Sequence, residues 1–147
     1  MQYYDAQPGD TQRQPLEPKS IISGALPGAT ELRIGDSIKI SGKTQQIKVT
    51  TTGGNITMGA TSDGRLAMEV TNSDGTKTGI GVIPGSTQLG FYTLDASGNV
   101  IQKIVGPTRY INDVTNGTVV LEDGKLPDGT YGVAVAKTGQ SVPNAFS

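Results

Sequence analysis

The chain has 147 residues, of which 34% are hydrophobic and 5% aromatic, and 21 of them are glycine. Its 12 basic and 13 acidic side chains are interspersed, which argues against a nucleic-acid surface, because such surfaces cluster their basic residues. The absence of histidine and cysteine excludes catalytic triads that need histidine, disulfide frameworks, and metal sites built on either residue.

The first 20 residues differ from the rest of the chain, because they are mostly polar and contain three prolines. Proline lacks the N–H that a strand ladder needs and biases the preceding residue toward extended backbone. We predict an extended N-terminal docking arm at 1–20, with Tyr3, Tyr4 and Leu16 as its contacts to a partner protein. A disordered tail is the alternative interpretation. The basic and apolar regions of a signal peptide are missing, so we expect synthesis in a cytoplasm.

After Ile34, glycine-containing turn signals separate short runs rich in Ile, Val, Thr and Tyr, as at Asp63-Gly64, Asp74-Gly75 and Asp128-Gly129. Glycine, asparagine and aspartate supply the positive-φ positions of tight hairpin turns. No segment carries a helical pattern of apolar residues. This spacing predicts an all-β fold of short antiparallel hairpins and meanders.

The predicted strands follow one another without long interruptions. They lie, in chain order, at 31–34, 37–40, 45–52, 55–61, 65–71, 77–84, 89–95, 99–105, 109–114, 117–122 and 130–137. We divide the chain into the arm, a β-rich domain at 21–105, and C-terminal hairpins with a tail at 106–147.

The clearest predicted hairpin joins two strands that carry apolar residues at every second position. Its apolar positions are Ile56, Met58, Leu66, Met68 and Val70. Because strand side chains alternate between the two faces of a sheet, these residues share one face, and we expect it to face inward. Glu69 lies in the opposite phase and is expected to face solvent.

The low content of large apolar residues predicts an oligomer. Ordering each residue costs about 1–2 kcal/mol of backbone entropy, which burial at about 25 cal/mol per Å² must offset. One chain with so few large side chains has little to bury, so sharing a core between chains is the physical solution. The alternative is a small glycine-rich sandwich or barrel that folds alone.

No arrangement of residues indicates an enzyme. Four aspartates, Asp63, Asp74, Asp123 and Asp128, each precede a glycine and are expected to cap their own turns. The glutamates of the predicted strands, Glu31, Glu69 and Glu122, are expected to face solvent. Neither a phosphate-binding loop nor a dinucleotide-binding fingerprint is present. We therefore predict no catalytic, metal-binding or cofactor-binding residue.

Two parts of the chain resemble segments of tailed-bacteriophage tail fibre and minor tail proteins. The first runs Thr78-Gly79-Ile80-Gly81-Val82-Ile83-Pro84 and continues at 89–101 with Gly90-Phe91-Tyr92-Thr93-Leu94-Asp95. The second is Leu126-Pro127-Asp128-Gly129-Thr130-Tyr131-Gly132. The resemblance implies an intertwined homotrimer whose short strands wrap about a three-fold axis, with glycine where three backbones meet.

The resemblance also implies a function. We expect a structural component of a bacteriophage virion, such as a tail fibre, tail-tip or head-attached fibre protein, made in the host cytoplasm. Its partners would be its own copies and other virion proteins, bound through the N-terminal arm, with no nucleic acid and no membrane insertion. The alternative is a capsid decoration protein or a carbohydrate- or receptor-binding adhesin that contacts host-surface carbohydrate through loop-tip surface aromatics, Tyr92 and Tyr110.

Overall fold

The structure, a computed structural model, describes residues 31–137 and 140. The predicted docking arm and its contacts Tyr3, Tyr4 and Leu16 lie outside the described residues. Eleven strands account for most of the described chain. They are β1 (Glu31–Ile34), β2 (Ile38–Ser41), β3 (Gln46–Thr51), β4 (Gly54–Ala60), β5 (Leu66–Asn72), β6 (Lys77–Val82), β7 (Leu89–Leu94), β8 (Val100–Val105), β9 (Thr108–Asp113), β10 (Thr118–Lys125) and β11 (Tyr131–Val135).

All of these strands belong to one antiparallel sheet in which the spatial order is the sequence order, from β1 to β11. The prediction of an all-β fold of hairpins and meanders is confirmed. The sheet continues without a break from β8 to β9, where Val105 lies opposite Thr108. The sheet thus runs across 105–106, the boundary between the predicted β-rich domain and the C-terminal hairpins.

Four of the connecting turns share one geometry, set by glycine. Gly64, Gly75, Gly98 and Gly129 have φ between +86° and +90°, and each donates its N–H to the carbonyl three residues earlier at 2.9 Å. The positive φ lets the backbone turn within the twist of the flanking strands, which explains why the turns recur at glycine.

Aspartate completes several of these turns, as predicted, but not all of them. Asp74 and Asp128 each accept a hydrogen bond at 2.9 Å from the N–H of the threonine two residues later. Asp123 does not occupy a turn. It lies within β10 opposite Arg109, because β10 continues to Lys125 with Gly124 at a φ of +102°. The prediction for Asp123 was wrong.

The buried apolar cluster of the described chain is small and lies on one face of the sheet. It consists of Ala67, Ile83 and Tyr92, with Val105 packed against it. The predicted inward set behaves differently. Leu66, the most exposed of that set, has a relative solvent exposure of 70%. The sheet is a single layer, so the face we expected to be inward has nothing over it within the described chain.

Candidate interaction surface

One side of the sheet, which we call the apolar face, collects the exposed hydrophobic residues of the described chain. The fourteen large ones are Ile34, Ile40, Ile47, Ile56, Met58, Leu66, Met68, Val70, Ile80, Leu89, Phe91, Tyr131, Val133 and Val135. Residues directly opposite each other in an antiparallel pair point to the same side, so the pairing places all of them together.

A continuous row crosses the centre of the apolar face. Its members lie directly opposite one another on eight consecutive strands: Leu32, Ile40, Ile47, Met58, Met68, Ile80, Phe91 and Ile104. The predicted phase of the hairpin at 56–70 is confirmed, because its apolar residues share this face. These residues are exposed in the described chain, so the expectation that they face inward would require a covering layer from outside it.

The row becomes polar at β9 and β10. Asp123 accepts hydrogen bonds from Nε of Arg109 at 3.2 Å and from Nη2 at 2.7 Å. The hydrogen bond from Arg109 lowers the pKa of the Asp123 carboxyl, and Asp123 raises the pKa of Arg109 in return. On β11 the row returns to an apolar residue, Val133. The apolar face thus contains one bidentate ion pair flanked by hydrophobic residues.

The opposite side of the sheet, which we call the polar face, contains a buried network centred on Tyr92. Its hydroxyl donates to Oε2 of Glu69 at 2.6 Å. Arg65 donates through Nη2 to the same oxygen and through Nη1 to the Tyr92 hydroxyl, both at 3.2 Å. The guanidinium carbon of Arg65 is 5.4 Å from the centre of the Tyr92 ring, within range for a cation–π contact.

Gly79 makes this network possible. It lies on β6 directly between Glu69 on β5 and Tyr92 on β7. A Cβ atom on Gly79 would stand 2.4 Å from Cζ of Tyr92, so the ring lies over the bare glycine backbone. The absence of a side chain at this position lets a tyrosine on one strand reach a carboxylate two strands away.

Burial and hydrogen bonding keep the Tyr92 hydroxyl protonated. Burial, reinforced by the hydrogen bond to Glu69, raises the pKa of Tyr92 to about 12. Although burial opposes the charged form of Arg65, its hydrogen bonds to Asp63, Tyr92 and Glu69 raise the pKa of the guanidinium. Around neutral pH the phenol therefore stays protonated and acts as a hydrogen-bond donor to Glu69.

Two predictions about the polar face need correction. Tyr92 is not a surface aromatic at a loop tip, because it lies within β7 and has an exposure of only 2%. Glu69 does not face solvent, because Tyr92 and Arg65 cover it and leave it 7% exposed. Sequence reasoning missed Arg65 as a partner of Glu69, although their spacing of four residues within one strand region was a usable signal.

Tyr110 also lies within a strand rather than at a loop tip. It is half-buried on β9, with Nζ of Lys103 5.0 Å from its ring centre.

Glu122, the neighbour of Tyr110 on β10, is buried, contrary to prediction. Burial raises the pKa of this carboxyl, and Lys103 has the opposing effect. Oε2 of Glu122 has no hydrogen-bond partner among the described residues. A depression of about 510 Å³ beside Tyr110 is lined in part by Lys103 and Asn112.

Residues 31–137 and 140 offer neither a metal site nor a membrane-spanning helix. No group of three or more acidic side chains there is placed to hold a metal ion. None of those residues belongs to a helix long and apolar enough to cross a membrane.

Comparison with known proteins adds no relative. No protein-family model, no curated protein and no solved structure matches the chain. The apolar face is therefore the feature from which a function must be argued.

Proposed function

We propose that this chain is a structural component of a bacteriophage virion, a tail fibre, tail-tip or head-attached fibre protein, that assembles as a homotrimer through its apolar face. The observation that carries the proposal is the uncovered apolar side of a single-layer sheet. Protein domains are built from at least two packed layers, because a sheet must bury its hydrophobic face against something. Here the second layer has to come from outside the described chain.

The size of the apolar face suits a stable protein–protein interface. Eleven strands spaced by about 4.8 Å, each about six residues long, cover on the order of 1,000 Å². Soluble monomers rarely expose contiguous apolar patches above a few hundred Å². A stable complex typically buries about 800 Å² on each partner. The apolar face is thus too large to suit a monomer and large enough for an interface.

Another copy of the same chain is the partner that fits this face best. Residues 1–30 contain seven large hydrophobic side chains, half the number that the apolar face exposes. From β1 to β8 the apolar face bears no charged side chain, so it offers nothing for a charged partner to pair with. A second copy matches it in both width and polarity.

The resemblance to phage tail proteins supports the number three and the setting. Its first segment forms β6, β7 and the start of β8, and its second forms the turn between β10 and β11. The proteins it resembles are typically homotrimers of such short strands. In this proposal the N-terminal arm, with Tyr3, Tyr4 and Leu16, attaches the trimer to another virion protein. The adhesin alternative loses one of its two aromatic contacts, because Tyr92 is buried.

Sedimentation of the purified chain at micromolar concentration tests the assembly. We expect about three chain masses, as for a closed cyclic oligomer. Met68→Glu places a charge at the centre of the apolar face and should shift the protein toward monomer. Lys48→Glu on the polar face is the matched control and should leave the mass unchanged. A folded monomer for the unmodified chain would overturn the proposal.

The virion role needs a test in particles. Phage particles carrying this gene should contain the protein, located by immunogold labelling. Deleting residues 1–20 should leave the assembled mass unchanged but remove the protein from particles. Particles that lack the full-length protein, or that take up the truncated protein normally, would contradict the virion assignment or the role of the arm, respectively.

A further inference from the structure

The ion pair between Arg109 and Asp123 is an unusual feature of a face that is otherwise suited to hydrophobic packing. Its side chains are 39% and 27% exposed in the single chain, and Ile104 and Val133 lie directly beside it in the same row. An exposed ion pair contributes little to stability. If another copy covers this face, however, the pair leaves water, and what lies opposite it then matters.

Desolvating an ion pair is costly unless its remaining donors and acceptors find partners. Asp123 accepts from two nitrogens of Arg109, whereas a guanidinium carries five N–H donors. A second ion pair of the same kind, facing the first, offers carboxylate oxygens to those donors. An apolar surface offers none.

The alternative alignments of two copies differ in what they place opposite the pair. When the sheets run in the same direction and in register, β9 and β10 of one copy face β9 and β10 of the next, and ion pair meets ion pair. When one sheet is reversed, β9 faces β3 and β10 faces β2. Arg109 and Asp123 then lie over Ile47 and Ile40, which belong to the same central row.

We infer that the Arg109–Asp123 pair sets the alignment of the assembled chains, so that each strand lies level with its own copies. This inference rests on the proposed assembly through the apolar face. The hydrophobic row supplies the attraction but cannot distinguish alignments, because its members are alike. The ion pair makes the reversed alignment unfavourable, because its charged groups would then lie over the apolar row, and polar groups in an apolar interface select one arrangement in this way.

Distances between spin labels distinguish these alignments. The chain has no cysteine, so Lys43→Cys, in the exposed turn between β2 and β3, gives a single labelling site. In the in-register oligomer the labels of neighbouring copies lie level with each other. In a reversed pair they are offset by about seven strand spacings, or about 34 Å, along the sheet. Pulsed electron paramagnetic resonance separates these two cases.

We expect the labelled protein to give one short distance. The double change Arg109→Met with Asp123→Leu should keep the oligomer, because hydrophobic residues of similar size can replace a buried ion pair. It should also add a second population with a clearly longer distance, because the labels of a reversed pair are offset by about 34 Å along the sheet. The exchange Arg109→Asp with Asp123→Arg retains a polar pair and should retain the single short distance. Replacing the exposed pair Arg33 and Glu31 of β1 by Met and Leu should change nothing.

The outcomes separate this inference from the proposed function. A monomer of the unmodified chain in sedimentation overturns the proposed assembly and the inference with it. An oligomer that already shows the long distance, or a Met/Leu variant that keeps only the short one, overturns the inference and leaves the assembly intact. If the Met/Leu variant does not fold, the distance in the unmodified chain and in the exchanged pair still decides the point.

Discussion

Tyr92 is the residue around which the polar face is organised. Its ring lies over Gly79 and belongs to the small apolar cluster, and its hydroxyl donates to Glu69. Without this donor, Oε2 of the buried Glu69 keeps only its longer hydrogen bond from Arg65. A residue in the middle of a strand thus connects three strands through one side chain.

We predict that Tyr92→Phe lowers the free energy of unfolding by about 1.5–3 kcal/mol, the typical contribution of a hydrogen bond to a charged group. Tyr131→Phe removes the hydroxyl of a residue that is 72% exposed and should stay within about 0.5 kcal/mol. Urea denaturation of the two variants and the parent chain gives both values. Equal losses in the two variants would show that the Tyr92 hydroxyl contributes nothing through Glu69.

At the scale of single residues, the sequence predicted which side chains share a face of the sheet but not which of the two faces is buried. Alternation places Leu66 and Met68 on one side and Glu69 on the other, and this holds. Alternation alone does not say whether the apolar side is covered by the same chain or by another. In a single-layer sheet, burial depends instead on which side chains can lie over their neighbours. Tyr92 reaches Glu69 only because Gly79, which lies between them, has no side chain. No local pattern in the sequence reveals this contact across an intervening strand.

The strands themselves were largely predictable, because turn signals such as Asp-Gly separate the segments in which apolar residues alternate. The hairpins at 56–70 and 90–104 follow the predicted pairing. The exception is the end of β10, where Asp123-Gly124 looks like a turn. A Cβ on Gly124 would lie 2.0 Å from the carbonyl oxygen of Pro107, so the glycine permits close approach of β9 and β10 within the sheet. An Asp-Gly dipeptide can therefore form a hairpin turn or permit close approach within the sheet. Which of the two occurs depends on the neighbouring strand.

A second glycine of this kind provides a prediction at the scale of the strand. Gly81 in β6 has a φ of +145°, and an added Cβ would stand 2.4 Å from the carbonyl oxygen of Leu66. Gly81→Ala should therefore cost at least about 1–3 kcal/mol through backbone strain and displacement of β5. Thermal or urea denaturation measures this loss.

Gly132 in β11 is the matched control for this substitution. Its φ is not positive, and an added Cβ would meet only Cδ1 of Leu126 at 3.5 Å, an ordinary contact. Gly132→Ala should stay within about 0.5 kcal/mol of the parent chain, as for an unstrained surface change. If Gly81→Ala proves as mild as the control, the backbone of β6 must relax more easily than its geometry indicates.

At the scale of the whole molecule, the low hydrophobic content led us to expect a shared core. The described chain is consistent with that expectation, since its apolar residues lie on one open face rather than around an interior. The sequence could not reveal that the sheet is a single layer. The same alternation of residues would suit a sandwich whose two layers cover each other, and composition does not distinguish these arrangements.

Leu66→Ala tests whether a neighbouring copy supplies the missing layer. In the single chain Leu66 is mostly exposed, so the monomer should lose within about 0.5 kcal/mol. In an oligomer that covers the apolar face, the loss should approach the about 2–5 kcal/mol of a large-to-small core change. Because association and folding are linked, the loss should then grow with protein concentration. Denaturation at two concentrations decides the matter, and a large loss independent of concentration would assign this leucine to the core of one chain.

The strictly sequential order of the strands has a consequence for how the sheet forms. Each of the eleven strands pairs only with the strands made immediately before and after it. Loops that must close between distant segments slow folding, and this sheet has none. During synthesis, each new strand emerges beside a partner that already exists, so the sheet can lengthen at one edge as translation proceeds. The growing chain never has to wait for a distant segment, but its apolar face stays uncovered while the sheet is being made.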